Sequence, residues 1–128
     1  MRMLVCGGRH FDNASWLRVT LDEMHKNEPV SCLIEGGALG ADRLAREWAI
    51  RAGAEVMTFD ADWMAHGKKA GPMRNQRMLQ EGMPDLVVAF PGGAGTANLL
   101  NQARWRGIQT AIFTESVYSK ALSSWVVQ

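Results

Sequence analysis

Short apolar runs alternate along this chain with longer stretches in which apolar residues recur at every third or fourth position. Runs of the first kind are typical of buried strands, and stretches of the second kind are typical of amphipathic helices. The runs predict five strands, at residues 3–6, 30–35, 55–59, 85–90 and 108–113.

The longer stretches predict five helices, at residues 15–26, Ala41–Ala52, 72–81, 96–106 and 116–124. Asp12 or Asn13 is suited to cap the first helix, because a short polar side chain accepts a hydrogen bond from a free N–H of the first turn. Gly53 is suited to end the second helix. The apolar residues of the segment 60–71 recur with neither a helical nor a strand period, and we predict a long loop there.

Strands that alternate with helices at this spacing predict an α/β fold with a parallel sheet covered on both faces. Right-handed crossovers then favour a doubly wound, five-stranded sheet in the order 3-2-1-4-5. The length of 128 residues is that of one domain, so we expect residues 1–128 to form a single domain.

Composition and charge narrow the class of partner. Hydrophobic residues make up 47% of the chain, and 14 basic and 13 acidic side chains leave a formal net charge of +1. A protein held to DNA mainly by phosphate neutralisation needs more positive charge, so we do not expect nucleic acid as a partner. No apolar run approaches the ~20 residues of a membrane span, so we expect no membrane partner either.

The cysteines and the first residues indicate the compartment. Cys6 and Cys32 both lie in predicted strands, where free cysteines act as small apolar core residues and fit a reducing environment. The start of the chain, MRMLVCGGR, has the pattern of a strand rather than of a signal peptide, so we expect a cytoplasmic protein. His10, His25 and His66 are isolated from one another, and we predict no metal and no other cofactor.

Three glycine-rich loops follow predicted strands: GGRHFD, GGALGAD and PGGAGT, after the first, second and fourth strands. Ligands of open doubly wound sheets bind beyond the carboxyl ends of the strands, at the point where the winding reverses. That point lies between the first and fourth strands here, so the three loops are predicted to converge on one crevice.

The loop PGGAGT has the chemistry of an anion site. Its glycines allow a phosphate to approach backbone N–H groups, the following helix adds its dipole, and Thr96 adds a hydroxyl. The alternative is a tight turn in which Thr96 is only an N-cap. Arg9 is either a bidentate phosphate ligand in the same crevice or a solvated side chain. The candidate ligand-binding residues of the three loops are Gly7, Gly8, Arg9, Gly36, Gly37, Gly40, Asp42, Pro91, Gly92, Gly93, Gly95 and Thr96.

Three further candidates lie outside these loops. Arg74 and Asn75 are on the third predicted helix, and Trp63 either stacks on a base or packs at the edge of the core. Asp42 either binds a ribose hydroxyl or braces its loop. The catalytic residues are unknown from the sequence; candidates are Arg74 together with the carboxylates Asp62 and Glu35, and Asp60 and Asp42 are further possible carboxylates.

Four motifs resemble, in order, those of the SLOG superfamily: VCGGRHF, EGGALGADRLAREWA, FDADWMAHGKKAGPMRNQRML and PDLVVAFPGGAGT. The closest resemblance is to its YspA-related branch (DUF2493), and it runs over most of the chain. More distantly, the motifs resemble the LOG phosphoribohydrolases and the DNA-processing protein DprA. The resemblance implies a Rossmann-like fold that binds nucleotides or their derivatives.

The match to the LOG enzymes is incomplete. Their motif PGGxGTxxE ends in a catalytic glutamate, and by this resemblance the corresponding position is Leu99, next to Asn98. Neither side chain can act as the missing carboxylate. We therefore expect a sensor or binding module for a nucleotide-like small molecule, with hydrolysis of a nucleoside monophosphate by another carboxylate as the alternative. The apolar end SSWVVQ also leads us to expect a homo-oligomer, a dimer or larger.

Overall fold

The centre of the fold is a parallel sheet of five strands. The structure, a computed structural model, describes residues 1–114. The strands are β1 (Arg2–Cys6), β2 (Cys32–Glu35), β3 (Glu55–Thr58), β4 (Leu86–Ala89) and β5 (Gln109–Ile112). They are ordered β3-β2-β1-β4-β5, which confirms the predicted order. Met3 of β1 pairs with Leu33 on one side and with Leu86 on the other, so β1 is the central strand.

The helices cover both faces of this sheet. They are α1 (Ala14–Asn27), α2 (Ala41–Ala52), α3 (Trp63–His66), α4 (Ala70–Gly82) and α5 (Ala94–Trp105), with a 3-10 turn at Gly67–Lys69. One core joins α1 and α2 to Met3 and Val5, and a second core joins α4 and α5 to Leu4 and Cys6. Alternate residues of β1 therefore face opposite cores, which is why the strands are continuous apolar runs. The predicted α/β, doubly wound architecture is confirmed.

The prediction of a long loop over residues 60–71 is wrong. This segment forms α3, the 3-10 turn and the first residues of α4, which begins at Ala70 instead of residue 72. Neither α3 nor the 3-10 turn has a buried residue, so no apolar period marked them in the sequence. The residue of the sequence that indicates the start of α3 is Asp62. Its Oδ1 accepts a hydrogen bond from Ala65 N–H at 3.0 Å and so caps the helix.

Other boundaries differ by a few residues, and the caps agree in part. The second strand begins at Cys32 rather than residue 30, and α5 begins at Ala94 rather than residue 96. Asn13, not Asp12, caps α1 by accepting a hydrogen bond from Trp16 N–H at 3.1 Å. Gly53 ends α2 in the left-handed conformation, as predicted.

Cys6 and Cys32 are buried free cysteines, as predicted. None of the helices within residues 1–114 is long and apolar enough to cross a membrane. The predicted helix 116–124 and the apolar end on which the expected oligomer rests lie outside the described residues.

Candidate functional site

A cleft of about 530 Å³ lies at the carboxyl ends of the strands. Residues of all three glycine-rich loops line it, together with residues of α3, α4 and α5. Among the sequence-predicted candidates, eleven of fifteen line the cleft: Gly7, Gly8, Arg9, Gly37, Asp42, Trp63, Arg74, Asn75, Gly93, Gly95 and Thr96.

Most of the remaining candidate glycines let the loops pack on one another. Gly8 N–H donates a hydrogen bond to Pro91 O at 2.8 Å, and Gly8 O accepts one from Ala41 N–H at 3.2 Å. A Cβ on Gly92 would lie 2.8 Å from Gly8 N, and a Cβ on Gly40 would lie 2.6 Å from the carbonyl carbon of Arg9. The backbone of the first loop thus holds the other two loops in place.

Gly93 and Gly95 have no such packing role. A Cβ on either residue would meet no atom of residues 1–114 within 4 Å, and neither glycine has a positive φ. Gly93 is the N-cap of α5, and no side chain of the described residues caps this helix. Both glycines line the cleft, and no side chain fills the space beside them among the described residues.

The first turn of α5, whose residues Ala94, Gly95 and Thr96 line the cleft, has N–H groups without a partner in the helix. The first backbone bond of the helix runs from Ala97 N–H to Gly93 O at 3.1 Å, so the N–H groups of Ala94, Gly95 and Thr96 have no partner within the helix. Thr96 is the third residue of α5, and the interpretation of Thr96 as an N-cap is therefore wrong.

Arg9 places a positive charge in the cleft lining. It is exposed, it follows β1, and it lines the cleft. Within the described part of the chain its guanidinium makes neither a hydrogen bond nor an ion pair. The guanidinium is therefore available to a ligand.

Arg74 is positioned by the protein itself. Its Nη1 donates a hydrogen bond to Gly36 O, and its Nε donates one to Asn75 Oδ1 at 3.0 Å. Asn75 is buried, and its Nδ2 donates to Gly95 O at 3.2 Å and to Asn98 Oδ1 at 3.1 Å. This network joins the second glycine-rich loop to the first turn of α5 through α4.

Asp42 is the carboxylate of the cleft. It is only 7% exposed, and its Oδ2 accepts a hydrogen bond from Ala38 N–H at 3.3 Å, so it braces its loop as well as facing the cleft. The pKa of Asp42 is raised to about 6, mainly because burial disfavours the charged form. The charge of Glu35 contributes to this rise, and the hydrogen bond from Ala38 N–H and the charge of Arg74 oppose it. Asp42 therefore exchanges a proton near neutral pH.

The other candidate carboxylates do not line the cleft. Glu35 is fully buried; its Oε1 accepts a hydrogen bond from Gly37 N–H at 2.7 Å and its Oε2 accepts one from the Thr58 hydroxyl. Asp62 caps α3. Asp60 lies beside Gly37, outside the cleft lining. The structure thus separates four carboxylates that the sequence left equivalent.

Six lining residues were not among the site candidates: Cys6, Ala38, Leu39, Met78, Ala94 and Leu99. Burial raises the pKa of the Cys6 thiol to about 12, so it stays protonated. Cys6 ends β1 directly before a glycine-rich loop, a position that indicates proximity to the crevice. Leu99 is buried, and Asn98 is bound to Asn75 and Gln102, so neither offers an acid or base. Among residues 1–114, no group of three His, Cys, Asp or Glu residues is arranged to hold a metal ion.

Comparison with known proteins places this chain among its relatives. The model of the YspA, cpYpsA-related SLOG family matches residues 1–66. The chain belongs to this family. It is also 35% identical over 120 residues to the Gene 61 protein of Mycobacterium phage D29, an alignment that covers 88% of this chain and 95% of the phage protein. Membership of the SLOG family points to nucleotide-related binding or modification.

Proposed function

We propose that this SLOG protein binds a nucleotide or a nucleotide-derived ligand, with a phosphate of the ligand at the start of α5. The observation that carries the proposal is the open space at Gly93 and Gly95, which line the cleft beside free N–H groups and Arg9. A helix start and a guanidinium are both favourable partners of a phosphate.

The helix propensity of glycine favours a ligand over a purely structural role for Gly95. A helix with glycine is less stable than one with alanine by about 0.5–1 kcal/mol. No neighbouring atom of the described residues lies where a Cβ on Gly95 would be, so packing does not explain the glycine. A bound phosphate would require the close backbone approach that only glycine permits. Charge-assisted hydrogen bonds of this kind contribute about 1.5–3 kcal/mol each.

The proposed role is that of a sensor or binding module. The cleft has the parts of a phosphate site, but Leu99 is buried and apolar where the LOG enzymes have their glutamate by resemblance. Without a carboxylate at this position, interactions that hold a phosphate give binding rather than turnover unless another carboxylate of the cleft acts in its place.

Calorimetric titration with nucleoside 5′-monophosphates and ADP-ribose tests this proposal. We expect saturable binding, and Arg9→Ala should weaken it at least about tenfold because one charge-assisted contact is lost. Arg51→Ala removes the same charge from the last turn of α2, outside the cleft lining, and should leave the affinity unchanged. Absence of binding by every probe, or equal effects of the two variants, would refute the proposal.

A second candidate function is hydrolysis of a nucleoside monophosphate, and the position of Asp42 favours it. Asp42 is the one candidate carboxylate in the cleft lining, and its raised pKa suits a proton acceptor near neutral pH. In this reaction a water oxygen bonds to C1′ of the ribose while the bond from C1′ to the base nitrogen breaks. The base takes the electron pair, and Asp42 takes the proton of the water.

Chromatographic detection of free base distinguishes hydrolysis from binding alone. If the chain is a hydrolase, Asp42→Asn abolishes base release while nucleotide binding persists. Asp62→Asn is the matched control, because Asp62 lies outside the cleft lining. No base release by the wild-type protein, under conditions where it binds the nucleotide, would exclude this candidate.

A further inference from the structure

The cleft has an apolar part that the phosphate site does not use. Trp63 is 59% exposed and Leu39 is 57% exposed, and both side chains belong to residues that line the cleft. A tryptophan buries about 150–250 Å² when it is covered, so leaving one open at a site sacrifices considerable hydrophobic stabilisation. A ligand that covers these two side chains would recover it.

The apolar residues and the phosphate site follow different strands. Trp63 and Leu39 come after β3 and β2, whereas Arg9 and Gly95 come after β1 and β4. In the order β3-β2-β1-β4, three strand spacings separate the outermost two, which is roughly 14 Å at the usual distance between strands. An extended nucleoside phosphate, apolar at one end and anionic at the other, fits such an arrangement.

The indole ring of Trp63 contacts α4 at its edge. A Cβ on Gly71 would lie 3.2 Å from Cη2 of Trp63, so the edge of the indole ring packs on the backbone of α4 where no side chain intervenes. The short helix that carries Trp63 begins at the Asp62 cap and ends at Gly67, which has a φ of 55°. A ring fixed at its edge, with most of its surface open, is suited to stacking.

We propose that Trp63 and Leu39, which both line the cleft, form the binding surface for the planar base of the ligand. This inference rests on the proposed nucleotide-binding function, and it identifies the ligand as one that carries a base rather than a sugar phosphate alone. Aromatic side chains accept any base by stacking, so the surface recognises a base without choosing strongly among the four.

The test compares AMP, GMP, CMP and UMP with ribose 5-phosphate by calorimetry. We expect the wild-type protein to bind the nucleotides at least about tenfold more tightly than the sugar phosphate. Trp63→Ala should weaken nucleotide binding by roughly tenfold to a hundredfold and leave ribose 5-phosphate unaffected. Trp105→Ala is the matched control, because Trp105 is 91% exposed and does not line the cleft.

Trp63→Phe adds a readout that a structural role would not change. Phenylalanine still stacks, so nucleotide affinity should be largely retained, whereas the quenching of tryptophan fluorescence on nucleotide binding should disappear. Quenching that persists in Trp63→Phe would overturn the inference, and so would Trp63→Ala weakening ribose 5-phosphate as much as the nucleotides.

The outcomes separate this inference from the function on which it rests. If ribose 5-phosphate binds as tightly as the nucleotides, or if Trp63→Ala behaves like Trp105→Ala, the base surface is refuted and the phosphate site stands. If none of the five probes binds, both proposals fall.

Discussion

The loops before α2 and α5 look alike in sequence and differ in structure. GGALGAD and PGGAGTA each have three glycines and lead into a helix without a side-chain cap. In the first loop, Gly40 has a φ of 76°, and a Cβ on it would overlap the backbone of Arg9. In the second, a Cβ on Gly95 would meet open space in the cleft.

The difference shows that glycine serves two purposes around one cleft. At Gly40 the lack of a side chain lets the backbone of Arg9 approach, and at Gly36 it lets the guanidinium of Arg74 approach. At Gly93 and Gly95 the protein does not use the space, and the first turn of α5 stays accessible. Gly36 and Gly40 thus maintain the shape of the site. The open space at Gly93 and Gly95 is evidence for our proposal that a phosphate binds there.

Gly40→Ala should have the largest effect on stability. Its Cβ would lie 2.6 Å from the carbonyl carbon of Arg9 at a φ of 76°, so backbone overlap adds to conformational strain. We expect a loss of at least about 3 kcal/mol in the free energy of unfolding, measured by urea denaturation.

Gly53→Ala is the control for the strain alone. Gly53 also has a positive φ, of 79°, but a Cβ there would meet nothing within 4 Å, so we expect a loss of only about 1–2 kcal/mol. Equal losses in the two variants would show that the close approach of the loops at Gly40 contributes nothing.

Asp42→Asn should change how stability depends on pH. The folded-state pKa of Asp42, about 6, lies above its usual value of 3.8, so between these values the folded chain binds more protons than the unfolded one. The contribution of Asp42 to the free energy of unfolding of the wild-type protein therefore falls by about 3 kcal/mol as the pH rises from about 4 to 6. Above that range it stays constant. The asparagine side chain does not titrate, so the stability of the Asp42→Asn variant lacks this dependence on pH.

The measurement is the difference in unfolding free energy between Asp42→Asn and the wild-type protein at pH 4 and pH 7. This difference should move in favour of Asp42→Asn as the pH rises, while other titrating groups cancel. A difference that is the same at both pH values would show that Asp42 is not held in a charge-disfavouring environment.

Gly95→Ala should have the smallest effect on stability and the opposite sign to Gly40→Ala. Alanine favours the helix by up to about 1 kcal/mol, and its Cβ would meet no neighbouring atom of residues 1–114 within 4 Å. If the open space is the phosphate site, affinity for a nucleoside monophosphate should fall at least about tenfold. Undiminished affinity, measured by calorimetry, would contradict the comparison between the two loops.

The strand order and the convergence of the three loops could be read from local pattern. Buried parallel strands are continuous apolar runs, and alternation with helices leaves few topologies for a chain of this length. The segment containing α3 was missed because Trp63 and its neighbours are exposed, so the helix lacks the apolar period by which helices are recognised.

The sequence by itself therefore determines the order of the elements and the kinds of chemical group in the loops, whereas the role of each group depends on long-range packing. The sequence offers Glu35 and Asp62 as candidate carboxylates and Asp42 as a further one. In the structure Glu35 is enclosed, Asp62 caps a helix and, of the three, only Asp42 lines the cleft. Gly40 and Gly95 are likewise equivalent in their loops until the first loop packs against Gly40 and leaves Gly95 open. Burial and steric contact are properties of residues distant in sequence, and for that reason only the folded chain distinguishes these groups.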